Sequence, residues 1–235
     1  MTQPTLFAAA EPPKRPGIDL LWGDCGAGMA ALPDGCVDLA IFDPPWSQYD
    51  APAAGANPGT VYEVLSEADI GAHLSDGVRL LRPGGRLVMW ACWPLLVETF
   101  RGSPPSWLAI DGLRWVTGGS WHKSGRLGVG YHWRGHSEPV LVGAKIGQPT
   151  GPALINLRSS YTSQKADHSA KPAEWMADWI RAWVPPGGCV LEPYAGLGSG
   201  AVATVLAGEG RRYVGYEVDE ERYRAARMNV LRASS

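Results

Sequence analysis

Little in this sequence suits a secreted, membrane-embedded or metal-bearing protein. Only four cysteines occur, Cys25, Cys36, Cys92 and Cys189, scattered without CxxC spacing. That scatter argues against a zinc site or a disulfide framework and points to a reducing, cytoplasmic setting. No apolar run is long enough to span a membrane. Residues 1–16, MTQPTLFAAAEPPKRP, hold no basic segment leading into an apolar one, so no secretory signal is expected there, only a Pro-rich flexible arm. Heptads and internal repeats are also lacking. A net charge of -2 is poor for a nucleic-acid binder. What remains is a chain of 235 residues, 45% hydrophobic and 19% charged, long enough to bury one sizeable core, with a single large domain expected over residues 17–235.

The average charge hides an uneven distribution. From Arg114 to Lys171 eight basic residues face only Glu138 and Asp167, a local excess of +6, interleaved with four histidines and the aromatics Trp115, Trp121, Tyr131, Trp133 and Tyr161. Such a mixture can hold phosphates and stack bases, or can be a solvated face. Residues 114–165 are therefore the candidate substrate-facing region.

The rest alternates between strand and helix. IDLLWGD reads as a strand, AGMAALPDG as a helical turn, and VDLAIFD as a buried parallel strand. EADIGAHLSDGVRLLRPGG reads as a helix stopped by Pro-Gly-Gly, followed by the strand RLVMWAC. This is βαβ grammar. In AEWMADWIRAWV, Trp175, Trp179 and Trp183 recur at helical spacing and are assigned to core packing. GGCVLEPYAGLGSGAVATVLAGEGRRYVGYEVD then repeats strand, glycine turn, helix, strand, with Gly196 and Gly198 in the turn and Glu217 closing the second strand. A nucleotide moiety can lie over such a turn while the carboxylate takes its ribose hydroxyls. Alone, the turn also fits a dinucleotide fingerprint; Glu192, just before it, would repel a pyrophosphate but suits the cationic methionyl end of S-adenosylmethionine.

The stretch VDLAIFDPPW at 37–46 carries the reactive chemistry. With GDC at 23–25, LLRPGGRLVMW at 80–90, HSAKP at 168–172, and VLEPYAGLGSG through VGYEVD at 190–219, it resembles the β-type amino-group (N6-adenine/N4-cytosine) DNA methyltransferases, in which the catalytic (D/S)PP(aromatic) motif precedes the cofactor glycine motif. The resemblance spans roughly residues 19–50, 78–145 and 165–228. It implies an α/β, Rossmann-like class I methyltransferase fold with a mostly parallel, doubly wound sheet, permuted motif order and a short recognition insertion. An exocyclic amine is a poor nucleophile because its lone pair is delocalised into the ring, so acceptors must hold its hydrogens. The Asp43 carboxylate and Pro44 carbonyl supply two, directed by the stiffness of Pro44 and Pro45, and Trp46 can stack on an extruded base. No cysteine sits in a Pro-Cys context, so ring-carbon methylation is disfavoured.

The resemblance implies further roles. Asp24 would contact the cofactor adenine, with a strand-end cap as its alternative. Glu217 would bind the ribose, and Tyr194, Gly196 and Gly198 would form the cofactor turn. His168, Ser169 and Lys171 would close over the methionyl group near Asp43. His122, Lys123, Arg126, His132 and Arg134 are candidates for reaching DNA, though Arg134 could instead pair with Glu138. DPPW and HSAKP favour adenine N6. Cytosine N4 transfer, an RNA substrate and a binding module with a vestigial cofactor pocket stay open, as does oligomeric state, a homodimer included. The arm segment QPTLF resembles a sliding-clamp docking peptide through Gln3, Leu6 and Phe7.

Overall fold

The computed structural model describes residues 17–45, 65–124, 136–147, 157–164 and 170–235. In chain order the described elements are β1 (Ile18–Trp22), α1 (Cys25–Ala30), β2 (Val37–Phe42), α2 (Glu67–Leu80), β3 (Leu81–Trp90), α3 (Trp93–Phe100), a 3-10 turn (Ser106–Leu108), β4 (Leu113–Ser124), β5 (Ser137–Lys145), β6 (Ser160–Gln164), α4 (Ala173–Trp183), β7 (Cys189–Glu192), α5 (Ser199–Ala207), β8 (Arg212–Glu217) and α6 (Glu220–Ala233). The strands form a single sheet in the order β1-β8-β7-β2-β3-β5-β4-β6. Each pairing is parallel except those made by β5, which runs against its neighbours β3 and β4. This is the mostly parallel α/β sheet expected from the sequence. The permutation is visible where β2 and β7, remote in sequence, pair through Leu39↔Val190 and Ala40↔Leu191.

Strand periodicity sorts the core onto two faces. Leu39 and Ile41 of β2 and Val88 and Trp90 of β3 pack with α4 and α5, whereas Ala40, Phe42, Leu87 and Met89 pack with α1 and α2. The tryptophan stripe is core, as expected: Trp175 and Trp179 are buried, and Trp183 packs at the margin. Trp175 meets Trp179 edge to face at 4.6 Å, and Trp90 meets Trp121 and Trp175 at 6.0 and 6.1 Å. Each such pair adds about 0.5–1.5 kcal/mol beyond its burial. On the other face α2 starts at a capping box in which Ser66 and Asp69 satisfy each other's backbone N–H groups.

One local expectation changes. Pro83-Gly84-Gly85 does not separate helix from strand: α2 ends at Leu80 and β3 already runs through these residues. The register with β2 jumps from Val37↔Leu81 to Leu39↔Arg86, so the Pro-Gly-Gly segment is a bulge, the place where a strand tolerates a residue without an N–H. Within the candidate substrate-facing region, β4, β5 and β6 form the far side of the sheet, with polar β6 lying beside β4.

Candidate active site

Because β5 alone of the described strands is reversed, the carboxyl ends of β1, β8, β7, β2, β3 and β4 share one edge of the sheet with the amino end of β5. Open α/β sheets place ligands at this edge, where sequence-remote strands meet. β2, buried along its whole length, delivers Asp43 there, and Pro44 and Pro45 end the strand because they cannot donate to a ladder. Lys171 Nζ lies 3.1 Å from Asp43 Oδ2 and 3.0 Å from Glu138 Oε2, and 4.8 Å from the centre of the Trp90 ring. Glu138 Oε1 pairs in turn with Lys123. Burial on its own would raise the Glu138 carboxyl, but Lys171 and Lys123 outweigh it and hold the group at about 2. Burial likewise works against the Lys171 ammonium, and Asp43 with Glu138 more than compensates, so its pKa is raised.

Next to Asp43, β7 leads into the glycine turn. Gly196 and Gly198 have φ of +53° and +79°, and Gly198 caps α5 in the left-handed region. No atom of the described chain lies within 4 Å of where a Cβ on Gly196 would stand, whereas one on Gly198 would meet Ala226 at 2.9 Å. Glu217, at the end of β8, accepts from the Gly196 N–H at 2.8 Å and from the Asp219 N–H at 2.9 Å. Its carboxyl is raised by burial, against these backbone donors. The Lys171 N–H donates to Ser199 Oγ at 3.0 Å, tying its segment to the start of α5.

Glu192, expected to face the methionyl end of the cofactor, is buried. It is only 4% exposed, and a Cβ on Gly200 would stand 2.4 Å from its Oε2. It thus lies beneath the first turn of α5, in the floor of the site, and accepts from the Tyr213 hydroxyl at 2.5 Å. Burial pushes its carboxyl up to about 8, more than the Tyr213 hydrogen bond lowers it. Asp24 is the N-cap of α1, its Oδ1 accepting from the Ala27 N–H at 2.8 Å, which is the strand-end alternative and still leaves it at the same edge. Tyr194 Oη and His73 Nδ1 share a hydrogen bond of 2.7 Å, and the Tyr194 ring stands edge-on to Phe42. Burial pushes the Cys25 and Cys189 thiols up to about 12, so neither is a nucleophile.

The basic stretch is partly turned inward. Lys123 and Lys171 are committed to Glu138, Lys145 donates to the Arg79 and Leu81 carbonyls, and Arg158 pairs with Asp178. The +6 count therefore overstates the charge available to a phosphate backbone. His122, two residues before the end of β4, has its Nε2 3.4 Å from Ser120 Oγ and its ring 5.9 Å from His136. Trp46, Arg126, His132, Arg134, His168, Ser169 and the arm residues Gln3, Leu6 and Phe7 lie outside the described residues.

Three further candidate site residues emerge from the structure. Glu138, named in the sequence only as an alternative partner of Arg134, which lies outside the described residues, pairs with Lys123 and Lys171. Val218, next to Glu217, is 63% exposed, and Trp22, 46% exposed, donates its indole N–H to the Val218 carbonyl at 3.0 Å. No sequence signal marks Trp22 or Val218; their exposure beside Glu217 emerges only in the fold.

This arrangement is a class I S-adenosylmethionine-dependent methyltransferase fold. The chain is similar to the M1.HpyAVI–S-adenosylmethionine complex, with a TM-score of 0.67 and 17% identity, covering 91% of this chain and 99% of that one. It is also similar to the PvuII DNA methyltransferase, described as cytosine-N4-specific, with a TM-score of 0.66 and 14% identity over 92% and 89% of the two chains. A protein of Escherichia coli (strain K12) provisionally named methylase YubD is 24% identical over 208 residues, 88% of each chain. The N6_N4_Mtase family model, described as DNA methylase, matches residues 107–228, more than half of the chain. The protein belongs to this family of amino-group DNA methyltransferases.

Proposed function

We propose that the protein transfers the methyl group of S-adenosylmethionine to the exocyclic N6 amine of adenine in DNA, with Asp43 as the group that prepares the amine. The observation that carries this reading is the position of the Asp43 carboxylate beside the glycine turn, held on a lysine at the end of a buried strand.

The cradle fits the cofactor. Glu217 offers a carboxylate to the ribose hydroxyls, Val218 with Trp22 an apolar surface to the adenine, and Asp24 an acceptor at the same edge; the clear side of Gly196 leaves room for the chain between. His168, Ser169 and Lys171 would lie toward the methionyl end, with Glu192 supporting the turn from below. When bound, the cofactor supplies an electrophilic methyl group on a sulfonium.

The residues of the chain do the rest. Asp43 and the Pro44 carbonyl accept the two amine hydrogens, which draws the nitrogen toward a pyramidal shape and frees its lone pair. Trp46 stacks on the extruded base, at a cost of a few kcal/mol of lost pairing that is smaller for a base already unpaired. Arg126, His132 and Arg134, together with His122, reach the DNA. The aspartate in DPPW and the HSAKP segment favour adenine. The likeness to a protein described as cytosine-N4-specific supports N4 of cytosine as the second reading. The short segment between β5 and α4 supports a short or degenerate recognition sequence. Incubation with labelled S-adenosylmethionine and duplex DNA, followed by nucleoside mass spectrometry, tests this. N6-methyldeoxyadenosine is expected; N4-methyldeoxycytidine alone would replace adenine with cytosine.

A further inference from the structure

We propose that Glu138 is a positioning residue of the methyl transfer: it seats Lys171 between two carboxylates and thereby aims Asp43 at the target amine. This rests on the reading of Asp43 as the acceptor of that amine.

The geometry is that of a chain of alternating charges. Lys123 pairs with Glu138 Oε1, Glu138 Oε2 with Lys171, and Lys171 with Asp43 Oδ2. A lysine on its flexible stem, paired with one carboxylate, is a poor guide to direction, because its ammonium is a rotatable point charge. Here the ammonium is held on three sides, by Asp43 at 3.1 Å, by Glu138 at 3.0 Å and by the face of Trp90 at 4.8 Å. Its main chain is anchored as well, through the Lys171 N–H on Ser199 Oγ at 3.0 Å. With both ends fixed, the lysine fixes Oδ2.

Topology explains why the second carboxylate comes from β5. In a wholly parallel sheet the first residues of a strand would lie at the opposite edge from Asp43. The reversal of β5 brings its second residue, Glu138, to the reaction edge opposite Trp121 of β4, two residues before Lys123. Pro139, the next residue, accepts from the Ala91 N–H at 2.9 Å, which holds this strand against the end of β3. Glu138 is thus built into the sheet, and the acid it steadies stands at a strand end followed by two prolines. The reaction is sensitive to such aim, since a misplacement of about 1 Å can cost on the order of 100-fold in rate.

The test is single-turnover transfer from labelled S-adenosylmethionine to duplex DNA, with cofactor affinity measured by calorimetry and DNA affinity by fluorescence polarisation. Glu138→Gln, the same shape without the charge, is expected to slow transfer by about 10- to 100-fold while both affinities stay within about threefold of wild type. Glu138→Asp is expected to recover part of the rate. If Glu138→Gln does not fold, Glu138→Gln/Lys123→Met removes one charge of each sign and restores the balance; it is expected to fold and to remain slow. A folded Glu138→Gln or double variant that transfers within about twofold of wild type overturns the proposal, as does a loss fully explained by weaker cofactor or DNA binding. An inactive wild type on any DNA would sink the functional reading and this inference together, whereas an active wild type matched by Glu138→Gln sinks the inference alone.

Discussion

Glu138 and Glu192 both lie under the reaction edge, Glu192 buried and Glu138 half-buried, yet their surroundings drive them in opposite directions. Glu138 sits between two lysines and is held at about 2 despite its burial; Glu192 has the Tyr213 hydroxyl for company and rises to about 8. The contrast divides the site. On the side of β2, β3, β5 and β4, function is assembled from charged side chains brought together across the chain. On the side of β7 and β8 it is assembled from backbone: two left-handed glycines, N–H groups aimed at Glu217, and a carboxyl that is mostly neutral near pH 7. On the proposed reading, charge is concentrated where the amine is gripped in a set direction, and shape suffices where the nucleoside lies flat.

The sharpest way to break this division is to remove the charge from the side said to need it. Asp43→Ala is expected to lower turnover by on the order of 1000-fold, as for loss of a central transition-state partner, with cofactor affinity kept within a few fold. Steady-state kinetics with cofactor titration checks both halves of that statement. A comparable loss of cofactor affinity would show that the two sides are not separable.

A smaller effect is expected from altering shape on the other side. Gly198→Ala puts a side chain on a residue with φ of +79°, 2.9 Å from Ala226. The left-handed conformation costs about 1–2 kcal/mol before any clash is counted. We expect a lower thermal midpoint and cofactor binding weakened by about tenfold, since 1.4 kcal/mol corresponds to that factor. Calorimetry and thermal unfolding measure these. Unchanged binding would mean that the turn supports α5 alone.

The two glutamates also set opposite pH dependences of stability. For Glu192 the unfolded chain ionises near 4.5 and the folded one near 8, so the unfolded state releases its proton first. Its contribution is complete below about 4.5 and is lost as pH rises toward about 8. For Glu138 the folded value lies below 4.5, so its contribution is present above about 4.5 and is lost as pH falls toward about 2. Urea midpoints from about pH 3 to about pH 9 should lose their alkaline decline in Glu192→Gln and their acid decline in Glu138→Gln. Unaltered profiles in both variants would refute the assigned surroundings.

How far each side could be read from the sequence follows the same division. A glycine turn between a strand and a helix is a local feature, so Gly196, Gly198 and Glu217 could be named from spacing. Asp43 could be named because the prolines after it are an unusual way to end a buried strand. Glu138 could not, because its partner Lys171 lies 33 residues away and meets it only once β5 has been reversed and α4 docked. The same reason made the charge count misleading: Lys145 looks like part of a phosphate-binding stretch until the sheet turns it onto carbonyls at the end of α2. Pro83-Gly84-Gly85 reads as a stop in one dimension and becomes a bulge because β2 supplies a ladder on both sides of it. Trp22 and Val218 are unremarkable apolar residues in sequence, and only their exposure beside Glu217 marks them.

The smallest effect expected concerns the part of the charge count that belongs to neither side. Arg114 lies at the start of β4 opposite Ala144, while Lys123 lies near the other end of the same strand. Nine residues of strand at about 3.3 Å each put roughly 30 Å between them. Several Debye lengths of about 8 Å at physiological salt then separate Arg114 from DNA bound at the reaction edge. Arg114→Ala should therefore change DNA affinity by less than about twofold, whereas Arg126→Ala and Arg134→Ala should each weaken it and reduce the salt slope by about one. Polarisation titrations over a range of salt measure all three. If Arg114→Ala flattened the salt dependence as much as Arg126→Ala, the DNA would have to extend past the end of β4, and the whole basic stretch, not only its reaction-edge part, would belong to the substrate surface.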